Sequence, residues 1–459
     1  MSEGQRFWDS DRFFYGCLAG FTLLAVGLRW WWTGEVQDPA DTIYSDMKSY
    51  VTAARQAITG EEDPRDIYPS CFPYGMPWIL AAQMRGFGLE AYGVMATTHA
   101  LMGAAVTPMA MLTARRVFVS PVGFVLSGLA TALWYPQLVY VGFFTSEVPF
   151  ACAVTASLWL GTRFLQTGRG AVLTGLVHAI GFTIRPQLLL TAVLAMGLAL
   201  WRRERLPHLD LRKLGRFVLP IALIVGFSSA RHYAITGEVA LISANGPLGR
   251  FFADTTYQTI KASQTLPSGR TRVKQFTPPA RGRSNGFEGA FSFEGWRCDA
   301  SKLDPERRRI VASKGWLYRP YLIRRNVRFL FFDNALWPER KEVKRPRWRK
   351  AWLERAAWLG FGLLPLSAWG LVTLVFRRNE GLELAGLHIA TMVFAAAFYF
   401  GEVRYRVPYD AVLILLAVQG LLFFTQRKAE PQDRVACWVY GGLLGLLAVL
   451  VLVPWPPEG

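Results

Sequence analysis

Acidic residues are scarce in this sequence, and histidine is scarcer still. Only 33 of 459 residues are Asp or Glu, five are His, and charge of both signs reaches 18%. Soluble domains usually carry about a quarter, so a water-soluble globular fold is excluded as the general class. The five cysteines, Cys17, Cys71, Cys152, Cys298 and Cys437, are scattered and form no CxxC pair. That leaves no zinc motif and no disulfide-rich scaffold. His99 and His232 lack a second ligand at metal spacing, while His178 and His388 fall in apolar stretches where packing is their plainer role. No cofactor and no metal site are therefore expected, although acid pairs across loops leave a divalent ion open. A small-residue cleavage site is also missing after the first apolar run, Phe13 to Trp32, which ends in Arg29-Trp30-Trp31-Trp32. That run reads as a retained spanning helix with interfacial tryptophans rather than a signal peptide.

Apolar residues are abundant: 52% hydrophobic, 14% aromatic, mean hydropathy +0.21. A spanning helix needs about 20 such residues, and long apolar stretches recur along the whole chain. They are too continuous for barrel strands. The sequence therefore reads as an all-α polytopic membrane protein with about eleven transmembrane helices. Their cores lie near 13–32, 92–112, 119–138, 145–164, 170–184, 187–201, 215–231, 353–376, 383–400, 407–425 and 435–453. The net charge of +18 fits basic loops and anionic lipid headgroups, and nucleic acid is not an expected partner.

Short basic loops fix the orientation. Arg115-Arg116, Arg163 with Arg169, Arg202 to Arg216, Arg377-Arg378 and Arg427-Lys428 fall in alternate loops. All lie inside if the N-terminus is cytoplasmic, which puts the C-terminus outside. The regions are then 1–32, the N-terminus and first helix; 33–91, a first large extracytoplasmic loop; 92–231, helices two to seven; 232–352, a second large extracytoplasmic loop; and 353–459, the last four helices. In loop one, Tyr44 to Ile58 lacks Pro and Gly and predicts a surface helix stopped by Gly60. In loop two, the Pro/Arg/Gly-rich stretch Pro267 to Gly289 reads as mobile, with helices expected near Pro305–Lys314 and Pro320–Leu330. Cys71 and Cys298 share the outer side, so a disulfide between them is possible.

Several ionisable residues stand where apolar segments begin or end. Asp46 lies in the loop-one helix, with Tyr50 one turn on; a partly desolvated carboxylate suits a general base, although a solvated loop acid is the plain alternative. Arg185 precedes Pro186, where the chain must kink, and Arg231 opens loop two beside His232. Either could be an interfacial arginine reaching to headgroups. In Arg404-Tyr405-Arg406-Val407-Pro408, an extended backbone would point both arginines one way and Tyr405 the other. Such a pair makes a phosphate clamp, because each planar fork donates bidentately. Glu147 follows Thr145-Ser146 at a helix start, where a carboxylate is favoured and could also meet sugar hydroxyls. Glu402 is placed to pair with Arg404, and Asn245-Gly246 is turn chemistry by default.

In their order along the chain, these features resemble the GT-C class of integral-membrane glycosyltransferases, and within it the group of aminoarabinose transferase and the protein O-mannosyltransferases. Asp46 with Tyr50 and Ala53 resembles that group's first-loop acid motif. Tyr68 to Pro77 resembles its Pro-Pro-Gly-Tyr-Pro turn, with Pro-Tyr-Gly in place of Pro-Pro-Gly. Leu112 to Phe118, Ser146-Glu147, Gly181 to Pro186, Arg231 to Gly237 (His232 standing where the group has Asn) and Arg404 to Pro408 follow in register. The resemblance covers most of residues 10–425 and is weakest in loop two.

The resemblance implies transfer of a sugar from a polyprenyl-phosphate donor to an acceptor hydroxyl on a glycan, lipid or protein, with inversion, at the outer face of the cytoplasmic membrane. Asp46 would act as base. Arg185, Arg231, Arg404 and Arg406 would hold the lipid phosphate, and Tyr50, Tyr68, Glu147, Asn245, Glu402 and Tyr405 would contact donor or acceptor. A transporter or flippase of lipid-linked saccharides, or a non-catalytic lipid-binding subunit, is the alternative; the inverted repeats of many transporters are not evident.

Overall fold

The computed structural model describes residues 11–43, 45–60, 71–118, 120–255, 257–265, 271–276, 288–295, 298–332, 363–374, 379–399 and 401–425, with a few residues between 435 and 442. It is mostly helical. Helix α1 (Asp11–Trp31) continues into a π-helical turn at Trp32–Val36. Loop one supplies α2 (Ser45–Thr59) and α3 (Gly75–Phe87). A bundle follows: α4 (Tyr92–Val117), α5 (Pro121–Leu133), α6 (Tyr135–Val141), α7 (Glu147–Thr167), α8 (Ala171–Ile184), α9 (Gln187–Trp201) and α10 (Leu211–Thr236). Loop two supplies α11 (Asn245–Asp254), three strands, α12 (Ala300–Ser313) and α13 (Tyr318–Phe332). Helices α14 (Leu363–Leu374), α15 (Glu380–Phe398), α16 (Val403–Arg406) and α17 (Asp410–Thr425) complete the described chain.

Among the described residues five helices are long and apolar enough to cross a membrane, or six if the pair α5–α6, bent by 44°, counts as one span. Helices α8, α9 and α14 are apolar but shorter. They fall within the expected crossings 170–184, 187–201 and 353–376; residues 353–362 and most of the expected segment 435–453 lie outside the described residues. The protein is therefore a helical membrane protein.

Helix α7 is the centre of the bundle and is buried along most of its length. It packs against α4, α8 and α15. Helices α8 and α10 meet closely because Gly175 has no side chain: a Cβ there would collide with the Phe217 carbonyl. Small residues at such crossings let helix backbones approach, which replaces the missing hydrophobic drive between helices in lipid. The α5–α6 bend leaves carbonyls without helical partners. Arg29, fully buried in α1, satisfies two of them, donating to the Thr131 and Ala132 carbonyls at 3.2 Å each.

The all-helical expectation needs one correction. Loop two contains a three-stranded sheet, ordered β2 (Thr271–Phe276), β1 (Tyr257–Thr265), β3 (Glu288–Glu294). Strand β1 pairs antiparallel with β2, Ser263 opposite Val273, and parallel with β3, Ile260 opposite Phe291. Ile260 and Ala262 are buried while Lys261 between them is exposed, the two-residue alternation of a half-covered strand. Strand β2 falls inside the Pro/Arg/Gly-rich stretch expected to be mobile. Its six residues alternate too briefly among basic ones to stand out.

Loops one and two are tied together by a disulfide between Cys71 and Cys298, whose Cα atoms lie 5.8 Å apart. Both cysteines are buried in a small core with Leu248, Phe251, Phe252 and Leu303.

Candidate functional site

The loop-one helix forms as expected, and Gly60 ends it with φ +69°. Met47, Val51 and Ala54 share one face of α2 and are buried, in one cluster with Met76, Leu80 and Met84 of α3. That anchoring turns Asp46 and Tyr50 toward a cavity of about 710 Å³, which both line. Asp46 lies in the first turn of α2, where a carboxylate meets the positive end of the helix. Burial raises the pKa of the Tyr50 hydroxyl well above its ordinary value, and the Asp46 and Glu147 carboxylates add to the effect. Tyr50 is therefore a hydrogen-bond donor at neutral pH.

Arg185 closes α8 with extended dihedrals, φ −147° and ψ 126°, as the residue before a proline must. Its guanidinium is buried. It donates to the Ser146 hydroxyl at 3.0 and 3.1 Å and pairs with Glu147. Arg404 reaches the same cavity from the far end of the sequence. It donates to Asp46 Oδ2 at 3.0 Å, pairs with Glu402 at 3.2 Å, and donates to the Tyr405 hydroxyl at 3.0 Å. The guanidinium carbons of Arg185 and Arg404 each lie 5.0 Å from the Tyr405 ring centroid. The two cations are thus no more than twice that distance apart, with a ring that attracts both.

Asp46, Tyr50, Glu147, Arg185, Asn245, Arg404 and Tyr405 all line this one cavity. Glu402 is fully buried and touches the site through Arg404. Asn245 is the first residue of α11 rather than part of a free turn, and the first turn of that helix lines the cavity. Tyr68 lies outside the described residues.

Two expected clamp residues are placed elsewhere. Residues 403–406 form a helical turn, not an extended segment. Residues two apart on a helix point about 200° apart, so Arg404 and Arg406 diverge. Arg406 does not line the cavity. It donates to Asp410 Oδ1 at 3.1 Å and to the Phe331 carbonyl at 3.1 Å. Asp410 Oδ2 in turn accepts from the Trp134 indole at 2.6 Å. The four-residue spacing of Arg406 and Asp410 was the available signal for this pair. Arg231 also stays outside the lining, stacked 5.0 Å from the Tyr74 ring and 5.9 Å from Trp78, whereas its neighbour His232 lines the cavity.

The polar end holds two guanidiniums among three carboxylates, so both cations already have acidic partners. An incoming anion must share Arg185 and Arg404 with Glu147 and Asp46. The lining also has an apolar wall, Leu189, Leu190 and Val193 of α9 with Met392, Phe394 and Ala396 of α15, while Glu238 and Arg250 line the cavity as further charged residues. Among the described residues, no three of His, Cys, Asp or Glu gather as a metal-ion group.

The turn carrying Arg404 is seated by a close backbone contact: a Cβ on Gly401 would collide with the Asn326 carbonyl of α13. Gly401→Ala is expected to destabilise the protein by about 1–3 kcal/mol through overpacking. Thermal unfolding in one detergent checks this, and an unchanged midpoint would show that α13 yields freely.

No family model matches the chain, and no curated protein matches it.

Proposed function

We propose that this chain is a GT-C-like membrane glycosyltransferase. It moves a sugar from a polyprenyl-phosphate donor to an acceptor hydroxyl at the outer face of the cytoplasmic membrane, with about eleven crossings, a cytoplasmic N-terminus and an extracytoplasmic C-terminus. One observation carries the reading. Asp46 of loop one meets Arg404, 358 residues away, inside a cavity that also receives Arg185 and Glu147 and has an apolar extension between helices. An acid, paired cations and an apolar slot are what a lipid-linked phosphate and its sugar need. The cavity volume lies in the usual range for small-molecule sites. The disulfide adds support for an outer location of both loops, because such bonds persist in oxidising compartments.

In this mechanism the donor phosphate takes the place of Asp46 and Glu147 as hydrogen-bond partner of Arg404 and Arg185. Asp46 is released to accept the proton of the acceptor hydroxyl. The hydroxyl oxygen bonds to the anomeric carbon from the side opposite the phosphate. The carbon–phosphate oxygen bond breaks, and its electron pair stays on the phosphate, where the two guanidiniums stabilise it. The configuration inverts. The Tyr50 hydroxyl is available to the sugar as a donor. Arg406 and Arg231 have no step in this scheme.

The test is net transfer. Purified protein in lipid nanodiscs is given a polyprenyl-phosphate sugar with label in the sugar, and labelled acceptor is separated from donor. Label appearing in an acceptor, with free polyprenyl phosphate released in equal amount, is the expected result. Donor that crosses the bilayer of proteoliposomes intact, with no label leaving the lipid, would assign the cavity to transport instead.

A further inference from the structure

Residues 307–332 contain eight Lys or Arg and no Asp or Glu. They form the second half of α12 and all of α13, and the mechanism uses none of them. Part of this charge is held internally. Arg307 pairs with Asp254 at 2.7 Å, and Arg325 donates to the Ala253 carbonyl at 3.3 Å. Arg308, Lys314 and Arg328 are exposed and have no carboxylate partner among the described residues. Arg319 is 55% exposed even while it contacts Asp254.

The connection between the two helices is apolar where solvent-exposed turns are usually polar. Gly315, with φ +80°, reverses the chain. Beyond it Trp316 is 82% exposed, Leu317 45% and Ile323 37%. Tyr318, Leu322, Asn326 and Leu330, at helical spacing, bury the opposite face of α13. The far end of α13 is fixed at the mouth of the bundle: Leu330 belongs to the main core, and the Phe331 carbonyl accepts from Arg406. The helix carries the tip roughly 20 Å from that anchor.

We infer that the α12–α13 tip docks on the surface of the membrane that holds the bundle, Trp316 and Leu317 entering the headgroup region of a leaflet containing anionic lipid and the surrounding cations meeting its phosphates. An indole with exposed aliphatic neighbours suits the interface between water and hydrocarbon. A basic face beside them is the composition of interfacial helices. Charge complementarity selects lipid: near an anionic surface each Lys or Arg favours contact roughly fivefold. Docking would fix α13, and with it the Phe331 carbonyl and Arg406, relative to the bilayer. The inference rests on membrane embedding and not on the transfer reaction.

A spin label placed by Leu317→Cys tests it, in full-length protein with Cys17, Cys152 and Cys437 changed to Ser. Nanodiscs of phosphatidylcholine alone are compared with nanodiscs that also contain phosphatidylglycerol. Relaxation by oxygen should exceed relaxation by a water-soluble nickel chelate when phosphatidylglycerol is present. Reversing Arg308, Lys314 and Arg328 to Glu should shift the immersed population by roughly a hundredfold or more. A label at position 316, introduced by Trp316→Cys, gives a second reading should the first variant fold poorly. Equal access of the nickel chelate to both positions in both lipids would place the tip in water and overturn the inference. So would immersion that ignores both lipid charge and the reversed residues.

Discussion

Asp46→Asn is expected to lower the turnover of sugar transfer by about 10²–10⁴, the usual effect of removing a general base. The change keeps size while abolishing the proton acceptor and the charge that pairs with Arg404. It also removes a competitor. Asp46 holds Arg404 at 3.0 Å, so the Asn variant leaves Arg404 freer to meet a phosphate. Donor affinity should therefore hold or rise while turnover falls. That split separates a base from an anchor. If Asp46 served only to orient Arg404, turnover and donor affinity would fall together, and turnover would return when another acceptor at position 46 restored the contact. Single-turnover rates and equilibrium binding of labelled donor, measured on the same nanodisc preparation, distinguish the two. Near-normal turnover in Asp46→Asn would remove Asp46 from the chemistry.

The parts of this site legible in the sequence were those fixed by local rules. Tyr44 to Ile58 lacked breakers and ended at a glycine, and α2 forms there. Arg185 before Pro186 predicted a helix end, and α8 stops at Ile184. Glu402, two residues before Arg404, predicted the ion pair between them. What could not be read was rotation about an element. The spacing of Arg404, Tyr405 and Arg406 fits an extended segment and a helical turn equally well, and the two conformations give opposite answers on whether the arginines share a face. Tertiary contacts decide it: the Phe331 carbonyl and the buried Asp410 carboxylate draw Arg406 to the bundle, while Asp46 draws Arg404 to the cavity. Arg29 is a second case. At the end of an apolar run it resembles any interfacial arginine, yet it is buried against carbonyls freed by the bend after Leu133. That bend belongs to a helix about a hundred residues away, and nothing near Arg29 announces it.

Arg406→Met is expected to be among the most destabilising single changes in the bundle, because it strands Asp410 in the core. Asp410 is fully buried, and its remaining side-chain partner would be the neutral Trp134 indole at 2.6 Å. Breaking a buried ion pair from one side typically costs about 3–5 kcal/mol, whereas replacing both partners by apolar groups is often neutral. Arg406→Met combined with Asp410→Leu should therefore recover most of the loss. What the double variant cannot recover is the bond to the Phe331 carbonyl, which ties α13 to the α16 turn through Arg406. Its thermal midpoint should approach that of the parent while its transfer rate stays lower, because Arg404, two residues earlier in the same turn, loses the fixed seat that aims it into the cavity. Unfolding midpoints and turnover, measured for both single variants and the double, close the cycle. Equal destabilisation in the single and double variants would mean that the guanidinium's packing, and not its charge, holds the turn. Full activity in the double would mean that Arg404 keeps its aim through Asp46 and Glu402 alone.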